Sequence, residues 1–146
     1  MSMERGGRAG ARRIGVGLAL LLAAGLALAA VPGARGDRIR TIEVRIHFSH
    51  FETGRIDVRP GELVRFVVRN TDPIDHEFIV GDERVQLVHE LGTERHHGAK
   101  PGEISVPALS VAETTYRFPN ATGTLLFGCH LPGHYAYGMR GVIRIG

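Results

Sequence analysis

From Ile42 onward the apolar residues fall in short runs with a period of two, and turn-forming residues break those runs at regular intervals. Ile42, Val44, Ile46 and Phe48 alternate with Glu43, Arg45 and His47, the pattern of a half-buried strand. Phe51, Ile56 and Val58 carry the apolar positions on to the turn Arg59-Pro60-Gly61-Glu62. The Val- and Phe-rich stretch from Leu63 to Asn70 predicts another strand, and Thr71-Asp72-Pro73-Ile74-Asp75 a turn. Further short strands are expected at His76 to Val80, Glu103 to Val106, Thr114 to Phe118, Thr124 to Gly128 and Gly141 to Ile145. Seven or eight strands so spaced make an all-β sandwich or barrel. The stretch at about 81–102 departs from this rhythm. Val85, Val88 and Leu91 have roughly helical spacing there, which predicts a short helix followed by a flexible loop from Gly92 to Gly98.

The first 36 residues do not belong to this pattern. Arg5, Arg8, Arg12 and Arg13 precede an apolar run from Ile14 to Val31, and small residues follow up to Asp37. A basic segment, an apolar segment and a small-residue exit make a secretory signal. Arg12-Arg13 has the twin-arginine character of some export signals. Cleavage fits after Ala29 or after Gly36, and the second is favoured because a strand pattern starts soon after it. The alternative is a retained membrane anchor, for which the run is short and interrupted by Gly15, Gly17 and Gly25. Residues 37–146 are therefore read as one exported domain, periplasmic or extracytoplasmic, with one core. The leader carries five arginines against Glu4, and the whole chain is +3, so residues 37–146 are left at −1. The basic balance belongs to the leader, and the domain has no electrostatic case for binding nucleic acid.

Composition then singles out one residue. Cys129 is the chain's single cysteine. In an exported protein it cannot form an intrachain disulfide, so it pairs between chains, stays free or binds a metal. Cys129, His134 and Met139 follow at intervals of five residues, and His76 lies far upstream at the start of an expected strand. Two His and one Cys with a weak axial Met form the ligand set of a mononuclear electron-transfer copper site. Pro132-Gly133 and Gly138 suit a loop bent back so that its side chains converge. Zinc also takes Cys and His, but it does not account for Met139. His47 and His50, on or beyond the first strand, are expected to face solvent.

The run Cys129-x4-His134-x4-Met139, the upstream Asn70…His76, the strand Leu63 to Asn70 and the closing Gly141-Val142-Ile143-Arg144-Ile145 resemble the cupredoxins, the family of plastocyanin, azurin and rusticyanin. The resemblance covers about residues 38–146. It implies a Greek-key β-sandwich with copper at one end, held by His76, Cys129, His134 and Met139. It also implies that the C-terminal ligand His134 reaches the surface through an apolar patch, here flanked by Leu131, Pro132, Tyr135 and Tyr137, where redox partner proteins would dock. Two positions depart from the family. Asn commonly follows the upstream His and Ser or Thr follows the Cys, tying the ligand loops together, whereas this chain has Glu77 and His130. A carboxylate–imidazole bond between Glu77 and His130 is expected to replace that tie, with Glu77 a competing ligand as the alternative.

Cys129-His130-Leu131-Pro132-Gly133-His134 also resembles the His-Cys-His segment of multicopper oxidases, but Gly128 stands before the Cys and no His-x-His pair occurs elsewhere. The expected function is therefore a one-electron copper carrier and not an enzyme. Its rivals are a copper-binding protein for tolerance or delivery, and an electron-donor domain of a copper oxidase or nitrite reductase system. The tolerance reading draws on His89, His96 and His97, which crowd the irregular segment and would form a second, weaker copper site.

Overall fold

The protein is described here from a computed structural model covering residues 38–92, 97 and 100–146. The expected leader and His96 lie outside the described residues. Among those described, the elements run β1 (Arg40–His47), β2 (His50–Phe51), β3 (Arg55–Val58), β4 (Leu63–Asn70), β5 (His76–Gly81), α1 (Glu83–Leu91), β6 (Glu103–Val106), β7 (Val111–Arg117), β8 (Gly123–Gly128) and β9 (Arg140–Ile145). They form two mixed sheets, ordered β2-β1-β4-β7 and β3-β9-β8-β5-β6. The expected cupredoxin-like β-sandwich with one short helix is thus observed. No helix of the described residues is long and apolar enough to cross a membrane.

Period-two alternation places the core between the sheets. Val64, Phe66 and Val68 of β4 are buried, as are Val44 and Ile46 of β1, while the residues between them face out or are only partly covered. They meet Phe78, Phe127 and Ile143 of the second sheet in one cluster. The rings of Phe66 and Phe78 lie 5.1 Å apart, and Phe51 packs edge-on against Phe127 at 5.2 Å. Each such side chain contributes about 1.5–3 kcal/mol on burial.

Two local features bear on the site. First, β1 and β2 form a hairpin in which His47 pairs with His50, leaving Phe48 and Ser49 as its two-residue tip. Both have positive φ, 50° and 54°, as type I′ tips require. Without glycine this conformation costs about 1–3 kcal/mol per residue. His50 is exposed as expected, but His47 is half-buried, with Nδ1 2.9 Å from the Thr71 hydroxyl.

Second, α1 lies against the outside of the five-stranded sheet and turns a polar side inward. Asp82 caps it, accepting the Val85 N–H at 2.9 Å. The apolar residues whose spacing predicts the helix stay largely outside: Val85 is half-buried, and Val88 and Leu91 are exposed. Gln86 is the buried residue, donating through Nε2 to the carbonyls of Ile79 and Leu126. The helix is seated by hydrogen bonds to strand backbone, which periodicity does not report. Covered on both faces, β5 is buried along its whole length, His76 and Glu77 included.

Candidate metal centre

The site is built at one end of the sandwich from the start of β5 and the loop between β8 and β9. These strands are neighbours: β5 pairs antiparallel with β8, and β8 with β9. His76 opens β5, and Cys129 follows the last residue of β8, so both emerge at the same end. The loop after Cys129 closes on itself. The Cys129 N–H donates to the Met139 carbonyl at 3.1 Å, and the Met139 N–H donates to the His134 carbonyl at 3.0 Å. Gly133 and Gly138 take φ of 84° and 98°, so the expected bends fall where the backbone is left-handed.

This folding brings His76, Cys129 and His134 together, with one ligand atom of each within 4.8 Å of the others. Cys129 Sγ lies 3.2 Å from His134 Nδ1 and accepts the Glu77 N–H at 3.3 Å. His76 and Cys129 are fully buried, and His134 is partly exposed. Met139 is 1 % exposed, and its backbone is bonded to both Cys129 and His134.

The donor atoms fit a soft transition metal. His76 Nδ1 is buried and has no hydrogen-bond partner, while its Nε2 lies 2.9 Å from Asp72 Oδ2. Burial pushes the Cys129 thiol up to about 12, and the Glu77 and Glu90 charges add to this against the backbone N–H groups of Leu131 and Glu77. The metal-free site therefore holds a thiol, and a metal must displace its proton on entry. Burial, and then the neighbouring His76, hold His134 below the ordinary imidazole range; burial lowers His76 despite Asp72. Both imidazoles are thus neutral and able to donate. For Asp72, bonds from the Ser49 and Phe48 N–H groups and from His76 outweigh burial, which opposes ionisation, and hold the carboxyl below its usual range.

The expected Glu77–His130 side-chain bond is not formed. Glu77 does tie the two ligand segments, but through backbone: its Oε2 accepts the His130 N–H at 3.2 Å, and its Oε1 lies 3.2 Å from His97 Nε2. Its carboxylate is absent from the His76–Cys129–His134 group, so the competing-ligand alternative has no support in the geometry. The His130 imidazole turns to α1 instead, 2.8 Å from Gln86 Oε1 and 2.9 Å from Glu90 Oε2, and stacks on Tyr135. The bond fails because α1, with Glu90 and its buried Gln86, offers that ring two polar partners.

Of the expected second site, His89 and His97 do come together, with rings 5.0 Å apart. The third member among the described residues is Glu103, which the sequence reading does not include. Its Oε2 is buried without a hydrogen-bond partner, 3.5 Å from His89 Nε2 and 3.8 Å from His97 Nδ1. Near His134 the surface holds a depression of about 470 Å³ lined by Ile74, His76, Pro107, Leu131 and Pro132, among others. Tyr137 is exposed, whereas Tyr135 stacks on His130 and lies under the Arg140 guanidinium.

No protein-family profile matches the chain. It is 34 % identical over 120 residues to the copper-resistant cuproprotein CopI of Rubrivivax gelatinosus, spanning 78 % of this chain and 71 % of that protein. The protein of the same name from Pseudomonas aeruginosa is 29 % identical, over 78 % of this chain and 80 % of its own. Among solved structures, auracyanin B superimposes with a TM-score of 0.62 at 22 % identity, over 73 % of this chain and 88 % of that one. These likenesses, with the Cys–His–His cluster, make this a copper-binding protein of cupredoxin fold.

Proposed function

This chain belongs to the family of the copper-resistant cuproprotein CopI, and from that premise we propose that it is an exported, non-enzymatic copper protein whose redox-active centre serves copper tolerance. The observation that carries this reading is the convergence of the His76, Cys129 and His134 donor atoms. Of the expectations drawn from the sequence, the relatives' name favours tolerance and the ligand set favours one-electron chemistry; one protein can do both. When bound, copper supplies a one-electron couple. The polypeptide supplies three donors from a strand and a loop whose ends, Cys129 and Met139, are buried, excludes water around Cys129, and leaves an edge of His134 near the surface. On this reading Met139 would supply a fourth, weak donor. The apolar surface around His134, with Leu131, Pro132 and the exposed Tyr137, is where a redox partner docks, in an encounter of the small, transient kind. The test is growth of a copper-sensitive host that exports this protein. Wild type should raise the tolerated copper concentration and His134→Ala should not; equal growth with both contradicts the proposal.

Met139→Leu should keep the visible colour and raise the reduction potential, because a donor that favours Cu(II) is lost. A potentiometric titration showing no shift would leave Met139 as packing alone.

The His89–His97–Glu103 cluster supports a second reading, in which the protein also holds a weaker copper equivalent there. Lys100 Nζ, 3.6 Å from Glu103 Oε2, competes with a metal for that oxygen and accounts for the lower affinity. Copper titration should show two equivalents. The double variant His89→Ala with Glu103→Gln should lose the weaker one and keep the coloured one. One equivalent in the unmodified protein would remove this reading.

A further inference from the structure

We propose that Asp72 is a positioning residue of the copper centre: one carboxylate grips both the tip of the β1–β2 hairpin and the Nε2 of His76, so that the hairpin sets the tautomer and donor strength of the upstream ligand. The inference rests on the copper reading above and goes beyond it, since Asp72 lies outside the ligand set.

Asp72 is 5 % exposed. Its Oδ1 accepts the Phe48 N–H at 2.7 Å, and its Oδ2 accepts the Ser49 N–H at 2.7 Å and faces His76 Nε2 at 2.9 Å. Phe48 and Ser49 are the two left-handed, non-glycine residues of the hairpin tip. Their conformation is strained, and the carboxylate that collects both N–H groups compensates it. The carboxylate is itself fixed from behind. The Asp72 N–H donates to Asn70 Oδ1 at 2.9 Å, and the Asp72 carbonyl accepts the Leu109 N–H at 3.0 Å. Asn70 in turn donates to the carbonyls of Ile74, Val106 and Pro107. His47 Nδ1, 3.9 Å from Asp72 Oδ1, is beyond hydrogen-bond reach and bonds Thr71 instead.

The consequence for His76 is direct. A nitrogen facing an anionic acceptor carries the proton, which leaves the lone pair on Nδ1, the buried atom without a partner and so the nitrogen left to act as the metal donor. A carboxylate on the far nitrogen also raises the basicity of the ligating one. A stronger donor favours Cu(II) over Cu(I) and lowers the potential. Phe48 and Ser49 thereby act on the copper centre through one side chain.

The test uses the purified protein with and without copper. Asp72→Asn should weaken Cu(II) binding by about 10–100-fold. Each tenfold loss of preference for Cu(II) over Cu(I) should raise the potential by about 59 mV. Without copper, nitrogen NMR of His76 should report the Nε2–H tautomer in wild type and a mixture in Asp72→Ala. Because Asp72→Ala also loosens the hairpin, it should be combined with Phe48→Asn and Ser49→Gly, a pair suited to such tips. That combination should recover the thermal stability but neither the tautomer nor the potential. If the turn repair restores the potential, or if Asp72→Asn leaves tautomer and potential at wild-type values, the proposal is overturned. Failure of the unmodified protein to bind copper would contradict the copper reading and would leave the metal-free tautomer result standing, so the two failures are distinguishable.

Discussion

Cys129→Ser abolishes the intense visible absorption of the copper-loaded protein while the sandwich stays folded. The colour arises from charge transfer out of a thiolate, and Cys129 is the one sulfur nucleophile in the chain. Its Sγ sits 3.2 Å from His134 Nδ1. A serine oxygen in its place is a harder donor that keeps its proton at neutral pH. The fold tolerates the exchange because the two side chains are nearly the same size and the Glu77 N–H, which Cys129 Sγ now accepts at 3.3 Å, remains to satisfy the hydroxyl. Left unsatisfied, a buried hydroxyl would cost about 1–3 kcal/mol. Visible absorption after copper loading and far-ultraviolet circular dichroism check the two halves of this expectation. Colour that survives in Cys129→Ser removes the thiolate from the site.

Glu77→Ala destabilises the metal-free protein by about 1–3 kcal/mol, the cost of leaving a buried donor without its acceptor. Glu77 is 1 % exposed and tied to the His130 N–H and to His97 Nε2, which is itself buried. Truncation strips the His130 N–H of its acceptor and removes the carboxylate beside His97, so the Cys129 segment is held to β5 less firmly. For a domain of this size each kcal/mol lowers the melting temperature by about 4–8 °C. Copper affinity should fall about 10–100-fold as well, since the thiolate and His76 are no longer held in mutual register. Glu77→Gln keeps an acceptor for the His130 N–H and should lose a smaller part of both. Thermal unfolding and competition with a copper chelator measure the effects. A melting temperature equal to wild type in Glu77→Ala would mean that the two loops are joined by other contacts.

The parts of this protein that follow a short-range rule were legible in the sequence. Alternation located β1, Val and Phe content located β4, and the spacing of Cys129, His134 and Met139 located a loop that Gly133 and Gly138 do bend. What escaped depends on neighbours distant along the chain. Asp72 reads as an ordinary turn residue between Thr71 and Pro73, and only the arrival of the 48–49 hairpin tip gives its carboxylate two further donors. Glu103 reads as a polar position on a strand, and β5–β6 pairing puts it opposite Ile79 and within reach of His89 on α1. For α1 the apolar spacing of Val85, Val88 and Leu91 located the helix but not its seating, which rests on Gln86 donating to strand carbonyls. The same residue draws His130 away from Glu77. A hint was present for Glu77 itself: an acidic residue in a stretch otherwise apolar up to Gly81 must find partners if buried.

The most direct test of the central claim is X-ray absorption at the copper edge of protein loaded with one equivalent. The account predicts one short bond to sulfur and two to imidazole nitrogen, the sulfur contribution vanishing in Cys129→Ser and one imidazole vanishing in His76→Ala. A spectrum with nitrogen and oxygen neighbours alone, unchanged by either substitution, would contradict it.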